Sequence, residues 1–476
     1  MLEDATLDYQ DTSKHATNAF LLAMIAFAQR IGALPLLEAV HVPMKEVVHS
    51  VQEKIVTLLL SYTLGCRSSH AIETHLRPEV LAAEVLGIDA FADHSSFSRF
   101  YQRIDPAAIE ALRTVVQRLH EAHGLARHLA GNILVDFDAT GLIVTGEQFE
   151  LADAGYFAKH RGVEGYQLSL ACASNAGKEV LAQILDPGHV NTGARCWDLL
   201  YAVGERLGFL DGRVFLRADR AYGIGAFIAH LLDMEVGFLI KGRDPRTAHR
   251  WVADLGATSV WVPVDALVSV ADIGPQVLPD CPQPVRTILI RMWDATRQTY
   301  TYSYLVTTLP WAQCSEGDVF HFYNERVTLE KLIEQSKNAW HLTHRPTHAF
   351  WGLQFYVELR FLAYNLVLWY RHHVLGEAAC LQAMSIFVLV ECVAPEAVVA
   401  ERTAEAGWVI YLAHAPAPVQ QVVACTQAWL RRYAHVPLVL LGGLRRLHYD
   451  AQALVDAVWR AGRRLGGLGP PTLCKT

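Results

Sequence analysis

Two aspartates each close an apolar run. Ile133-Leu134-Val135 leads into Asp136-Phe137-Asp138, and Val214-Phe215-Leu216 leads through Arg217-Ala218 to Asp219. Short apolar runs of this kind read as buried strands with exposed C-terminal ends. In α/β sheets, ligands and metals gather at the carboxyl ends of strands. A single Asp at such an end is more often a turn or N-cap residue. Two at equivalent strand ends favour chemistry, with Asp136 as an auxiliary carboxylate. A third element is Tyr323-x2-Arg326-x3-Glu330-x6-Lys337. If one helix carries all of it, Arg326, Glu330 and Lys337 point within a narrow arc at about 100° per residue. Tyr323 joins that face if the helix extends back far enough. The bland alternative is a solvated face with an Arg326–Glu330 pair at i, i+4, worth about 0.2–0.5 kcal/mol. That pair alone leaves the Tyr and the distant Lys unexplained.

Three carboxylates without a thiol suit a hard divalent cation, Mg²⁺ with Mn²⁺ as substitute, rather than zinc. Two such ions about 3.5–4 Å apart activate a water or hydroxyl and stabilise the leaving oxygen of an in-line phosphoryl displacement. Arg and Lys beside them clamp phosphates, and a tyrosine stacks on a base or hydrogen-bonds a phosphate. These residue types together describe a site that cuts and joins DNA strands.

The elements needed to position them follow from the pattern. Residues 1–130 read as helical, with Ser95 or Ser96 as an N-cap and Pro106 opening a helix. Short helices joined by tight turns suit a helix-turn-helix-like module that binds DNA ends and supports a dimer; a plain packing domain fits the pattern equally well. Residues 131–242 alternate strands and helices and read as the first part of an α/β core. Residues 243–320 return to period two and read as a β-rich insertion, with strands expected at 259–262, 286–291 and 299–307. Helices are expected from Arg326 to about Leu375, so that 321–375 holds the last core helices and Glu330. Residues 376–476 read as a helical C-terminal region, basic at its end.

The Tyr-x2-Arg-x3-Glu-x6-Lys spacing resembles, without a gap, the signature of DDE transposases of bacterial insertion sequences, the IS-Four-like superfamily. Asp136-Phe-Asp138-Ala-Thr140 resembles the first Asp motif of that family and Leu216-Arg-Ala-Asp219 the second. Gly165-Tyr166-Gln167 also resembles a family pattern, while Pro187-Gly188-His189-Val190-Asn191 and Leu362-Ala363-Tyr364-Asn365-Leu366 point to its IS-Thirteen-Eighty-like branch. The similarity spans about 132–370. It implies an RNase H-like catalytic core interrupted by a β-rich insertion. It implies that Asp138, Asp219 and Glu330 are catalytic and bind Mg²⁺, and that Tyr323, Arg326 and Lys337 contact DNA phosphates. The implied activity is metal-dependent cleavage at terminal inverted repeats and strand transfer into target DNA, cut-and-paste through a hairpin. The partners are double-stranded DNA and a second copy of the chain in a synaptic homodimer. Trp251, Trp261 and Trp293 in the insertion are candidates to stack a flipped base, although core packing is the commoner role of a tryptophan. Lys241 and Arg243 are further auxiliary candidates. Arg220 departs from the family pattern, which has a small residue after the second Asp. Two other readings use the same residues: an RNase H-like nuclease without strand transfer, and a DNA-binding regulator that no longer cuts.

The 476 residues are 52% hydrophobic and 19% charged, with a formal net charge of −7. That excludes a disordered chain and implies more than one packed unit. Nine cysteines without a CxxC pair suggest neither a disulfide scaffold nor a zinc site. With no signal peptide apparent, the expected location is the bacterial cytoplasm, with the nucleoid. The longest uncharged run, 406–430, contains Pro416 and Pro418 and does not suit a membrane span. An acidic balance is unusual for a DNA-binding chain, but the charge is uneven. Residues 427–476 carry eight Arg and Lys against Asp450 and Asp456, a local excess of six. Basic contacts are therefore expected in patches.

Overall fold

The computed structural model describes residues 6–8, 16–45, 48–146, 148–157, 160–255, 261–376, 378–403, 407–412 and 415–432. Residues 433–476, and with them most of the basic C-terminal stretch, lie outside the described residues, as do Ser259 and Val260. The chain divides into a first unit (residues 1–124, 146–150 and 335–476) and a second (125–145 and 151–334).

Side-chain caps open several helices of the first unit. After β1 (Thr6–Asp8) and β2 (Ala16–Asn18), Asn18 accepts the Leu21 N–H and opens α1 (Ala19–Arg30). Every residue of α1 is buried, so it is a core helix without a polar face. A short α2 (Ala33–Leu36) follows. Ser50 and Glu53 form a reciprocal capping box at the head of α3 (Val51–Thr63). Next come α4 (Ser69–His75), α5 (Val80–Leu86), α6 (His94–Gln102) capped by Asp93, and α7 (Pro106–His123) with Asp105 as cap and Pro at its first position.

The second unit is built on one ten-stranded sheet. Its first strands are β3 (Ile133–Ile143), β4 (Asp153–Phe157), β5 (His160–Ala173) and β6 (Glu179–Pro187). After α8 (Cys196–Leu207), β7 (Val214–Ala218) lies parallel to β3; after α9 (Gly225–Asp233), β8 (Gly237–Lys241) lies parallel to β7. Residue alternation sends Ile133, Val135 and Phe137 into one core, with Leu199, Val203, Phe227 and Leu231 from α8 and α9. Asp136 and Asp138 take the opposite face, as do Phe215 and Arg217. The expected β-rich insertion starts with a helix, α10 (Pro245–Asp254), followed by β9 (Val262–Pro263), β10 (Val268–Leu278), β11 (Cys281–Asp294) and β12 (Thr299–Thr307). These strands extend the same sheet, because Leu305–Thr307 of β12 pair antiparallel with Leu239–Lys241 of β8. Among the described residues, the complete order is β4-β5-β3-β7-β8-β12-β11-β10-β9, with β6 beside β5.

The helix expected from Arg326 starts at Val327 and does not extend back to Tyr323, which belongs to a separate helix. A Ser315–Asp318 capping box opens α11 (Glu316–Asn324), and α12 (Val327–Asn338) follows after two residues. At the junction, Arg326 N–H bonds Tyr323 O, Thr328 bonds Glu325 O and Leu329 bonds Arg326 O. These i→i+3 bonds tighten the chain and interrupt the α-helical ladder, so the face of a single helix does not govern Tyr323 and Arg326.

The chain then returns to the first unit with α13 (Phe350–His373), buried from Phe350 to Tyr370 except at Trp351. Its interior charges are partnered: Glu358 accepts Arg113 Nε at 3.0 Å, and Arg360 donates to Cys66 O at 2.7 Å over the Tyr62 ring. Short helices α14 (Ala379–Ala383) and α15 (Ile386–Val393) lead to β13 (Ala397–Thr403), β14 (Gly407–Tyr411) and α16 (Ala417–Arg432). The ends of the chain are therefore not purely helical, as expected above. They share a four-stranded sheet in the order β1-β14-β13-β2. Each of those strands is only three to seven residues long, too short to show a period. Among the described residues no single helix is long and apolar enough to cross a membrane.

Candidate active site

The site lies in the second unit, just past Phe137–Ala218, the last pair of the parallel β3–β7 ladder; β3 was expected to end at Asp138 but continues to Ile143 against β5. Asp138 sits within β3, its side chain 13% exposed and its carboxylate accepting the Ala139 N–H. Asp219 follows β7 directly and caps the turn Arg220–Tyr222 by accepting the Ala221 N–H at 2.9 Å. Glu330, in the first turn of α12, keeps a side chain that is 49% exposed. Burial pushes the Asp138 carboxyl up to about 6; Arg326 and the Ala139 N–H oppose this, while Asp219 and Glu330 are near enough to reinforce it. The three acids thus share one electrostatic neighbourhood, although they come from two strands and a helix.

Arg326 is the cation among them. Its guanidinium lies 3.0 Å from Asp138 Oδ2 and donates to Glu330 Oε1 at 2.6 Å. It also stands over the Tyr323 ring at 5.8 Å. Burial raises the Tyr323 hydroxyl to about 12, against the pull of Arg326, so it remains a protonated donor. Lys337 is two turns beyond Glu330 on α12, in the stretch that belongs to the first unit. Burial, with help from Arg345, lowers its pKa.

Asp136 is not an auxiliary acid of this site. It is fully buried and accepts both Arg217 Nε at 2.7 Å and Arg217 Nη2 at 2.9 Å, with Ser174 Oγ as a third donor. Arg217, itself 1% exposed, also donates to Phe322 O at 2.6 Å and lies 4.7 Å over the Phe322 ring. This group ties β3, β7 and α11 together beneath the site. The sequence signal was an Arg two residues before Asp219 inside an apolar run, where a lone charge requires a buried partner.

The remaining candidates separate. Lys241 and Arg220 line a 320 Å³ cavity beside Asp219, together with Tyr302, Phe320 and Tyr323. Burial lowers the Lys241 pKa and Arg220 adds to this, against Asp219. Arg243 is exposed just past the end of β8. Trp251 packs edge-on against Tyr304 at 4.9 Å, and Trp261 lies under Arg291 at 4.6 Å. Trp293 pairs across strands with Tyr300, ring centroids 5.0 Å apart. All three tryptophans therefore have packing partners.

Hard oxygen donors suit a divalent cation in kind. In spacing they do not yet share one: among the described residues no three acids, imidazoles or thiols stand close enough to hold an ion. Arg326 spans Asp138 and Glu330 instead, so an ion between those acids requires its guanidinium to move aside.

The family model for the transposase DDE domain group 1 matches residues 16–390. No curated protein matches the chain. Among solved structures, a piggyBac transposase synaptic complex with hairpin DNA, determined by cryo-electron microscopy, is similar over 94% of this chain and 87% of that one. The identity is 10% and the TM-score 0.42. DDE transposases in general use divalent metal ions. Matched over most of its length, the chain belongs to the transposase DDE domain group 1 family and is a DDE transposase, an enzyme that acts on DNA.

Proposed function

We propose that this transposase cuts at the terminal inverted repeats of its own insertion sequence and joins the freed ends to target DNA, with Asp138, Asp219 and Glu330 as the metal-holding acids. The observation that carries this reading is the shared neighbourhood of the three carboxylates, two of them spanned by Arg326. The strand order β6-β5-β3-β7-β8, antiparallel then parallel, supports an RNase H-like core. Mg²⁺, or Mn²⁺ in its place, supplies the charge that activates the attacking oxygen and stabilises the leaving one. Tyr323, Arg326 and Lys337 position the phosphates at the cut. Joining two ends requires two active sites, which favours a homodimer on DNA. A hairpin at the excised end rests on the family resemblance alone.

The test uses the full chain, Mg²⁺ and a duplex taken from the DNA flanking this gene. Asp138→Asn, Asp219→Asn and Glu330→Gln should each abolish cleavage while retaining duplex binding, because these acids hold metal rather than bases. Cleavage that survives all three substitutions refutes the assignment. Cleavage without joined product supports the nuclease reading instead.

A further inference from the structure

The first unit carries an unpartnered basic helix face. Helix α6 buries Phe97, Phe100 and Tyr101, each no more than 1% exposed. Phe100 packs edge-on against Phe355 at 5.6 Å, and the Tyr101 hydroxyl meets that of Tyr62 at 2.5 Å. The opposite face presents Ser95, Ser98, Arg99 and Gln102, with Arg103 at its end, all exposed. Neither arginine has an acidic partner among the described residues. Arg99, Gln102 and Arg103 border an open hollow of 770 Å³, across which lies exposed Lys45. The acid among its lining residues, Asp93, already accepts the Ser96 N–H and the Ser95 hydroxyl. Helix α4 braces this face: Glu73 accepts both the His94 N–H and Arg77, which hold its carboxyl down at about 2.

In a chain of net charge −7, an arginine pair left without counter-charge on a rigid, well-packed helix calls for an anionic partner. The polar side chains between the arginines are of the types that hydrogen-bond base edges. A helix about 10–12 Å across fits the roughly 12 Å major groove of B-DNA. We propose that α6 is the helix by which this transposase docks on duplex DNA, Arg99 and Arg103 contacting phosphates and Ser98 and Gln102 facing the base edges. This rests on the reading that the substrate is a DNA end, and it places duplex recognition in the first unit, apart from the catalytic acids.

The full chain is compared with Arg99→Ala/Arg103→Ala and with Arg99→Lys/Arg103→Lys, by fluorescence anisotropy across a salt series. The probes are the flanking duplex and a shuffled duplex of equal length. The alanine pair should lose about tenfold or more in affinity for both duplexes, and its salt slope should flatten by about 1.8, some 0.9 for each phosphate no longer neutralised. The lysine pair should recover most of that. Gln102→Ala should narrow the preference for the flanking over the shuffled duplex. Both arginines are exposed, so the thermal midpoint should not move. Affinity and slope equal to wild type in the alanine pair overturn the proposal, as does a loss accompanied by a lowered midpoint. Absence of metal-dependent cleavage by the wild type would instead count against the proposed function and leave this binding comparison readable.

Discussion

Asp136→Asn separates an acid of the fold from the acids of the site. The Arg217 guanidinium is 1% exposed and its bidentate partner Asp136 is 0% exposed. Asn keeps the shape and one acceptor but removes the charge, leaving an uncompensated cation between β3, β7 and α11. Glu325 offers little relief: at 3.6 Å from Arg217 Nη1 it is 67% exposed, and an exposed pair contributes about 0–1 kcal/mol. Breaking a buried pair from one side costs about 3–5 kcal/mol. For a unit of about 200 residues, each kcal/mol moves the unfolding midpoint by about 2–4 °C, so the expected drop is roughly 6–20 °C. Calorimetry of the full chain reads it as a shift of one transition, that of the second unit. Asp136→Leu/Arg217→Met, which removes both charges, should recover most of the loss. An Asp136→Asn protein that unfolds within about 1 °C of wild type, or that loses cleavage with its stability intact, refutes the structural role and returns Asp136 to the site.

Two further outcomes follow from the same unit. Mg²⁺ or Mn²⁺ at about 100 times its dissociation constant should stabilise the wild-type unit by about 2.7 kcal/mol and leave the Asp138→Asn/Asp219→Asn/Glu330→Gln protein unmoved. A metal-dependent midpoint shift that survives the triple substitution would place the ion elsewhere. Gly225→Ala should destabilise by about 1–3 kcal/mol, since a Cβ there would lie 1.6 Å from the Pro279 carbonyl oxygen, and backbone cannot step aside cheaply. A denaturation midpoint equal to wild type would show that the turn between β10 and β11 is looser than described.

Asp138 and Asp219 were legible as a pair because both apolar runs stop where the parallel β3–β7 ladder stops, at Phe137 and Ala218; that β3 goes on to Ile143 was not, since its continuation pairs with β5 alone. Glu330 was legible through fixed spacing. The break at Glu325 and Arg326 was not, because i→i+3 bonding there has no Gly or Pro to announce it. Asp136 was misread for a different reason. Sequence shows two neighbouring acids of equal chemistry, and only the β3–β7 register shows that one of them faces Arg217. The strands at 397–411 were missed because their partners β1 and β2 lie about 380 to 400 residues away.

The Asp136–Arg217 pair has a consequence for strand alignment. A slip by two residues keeps every side chain on its own face, so alternation alone does not forbid it. A slip of β7 by two along β3 would set Arg217 opposite Asp138 in place of Asp136. The wrong acid would be neutralised, the right one stranded in the core, and Arg217 pulled off the Phe322 carbonyl. Only one alignment satisfies all three groups, so the buried pair acts as a key that admits a single register. That register leaves Asp138 free of Arg217, facing Arg326 at 3.0 Å.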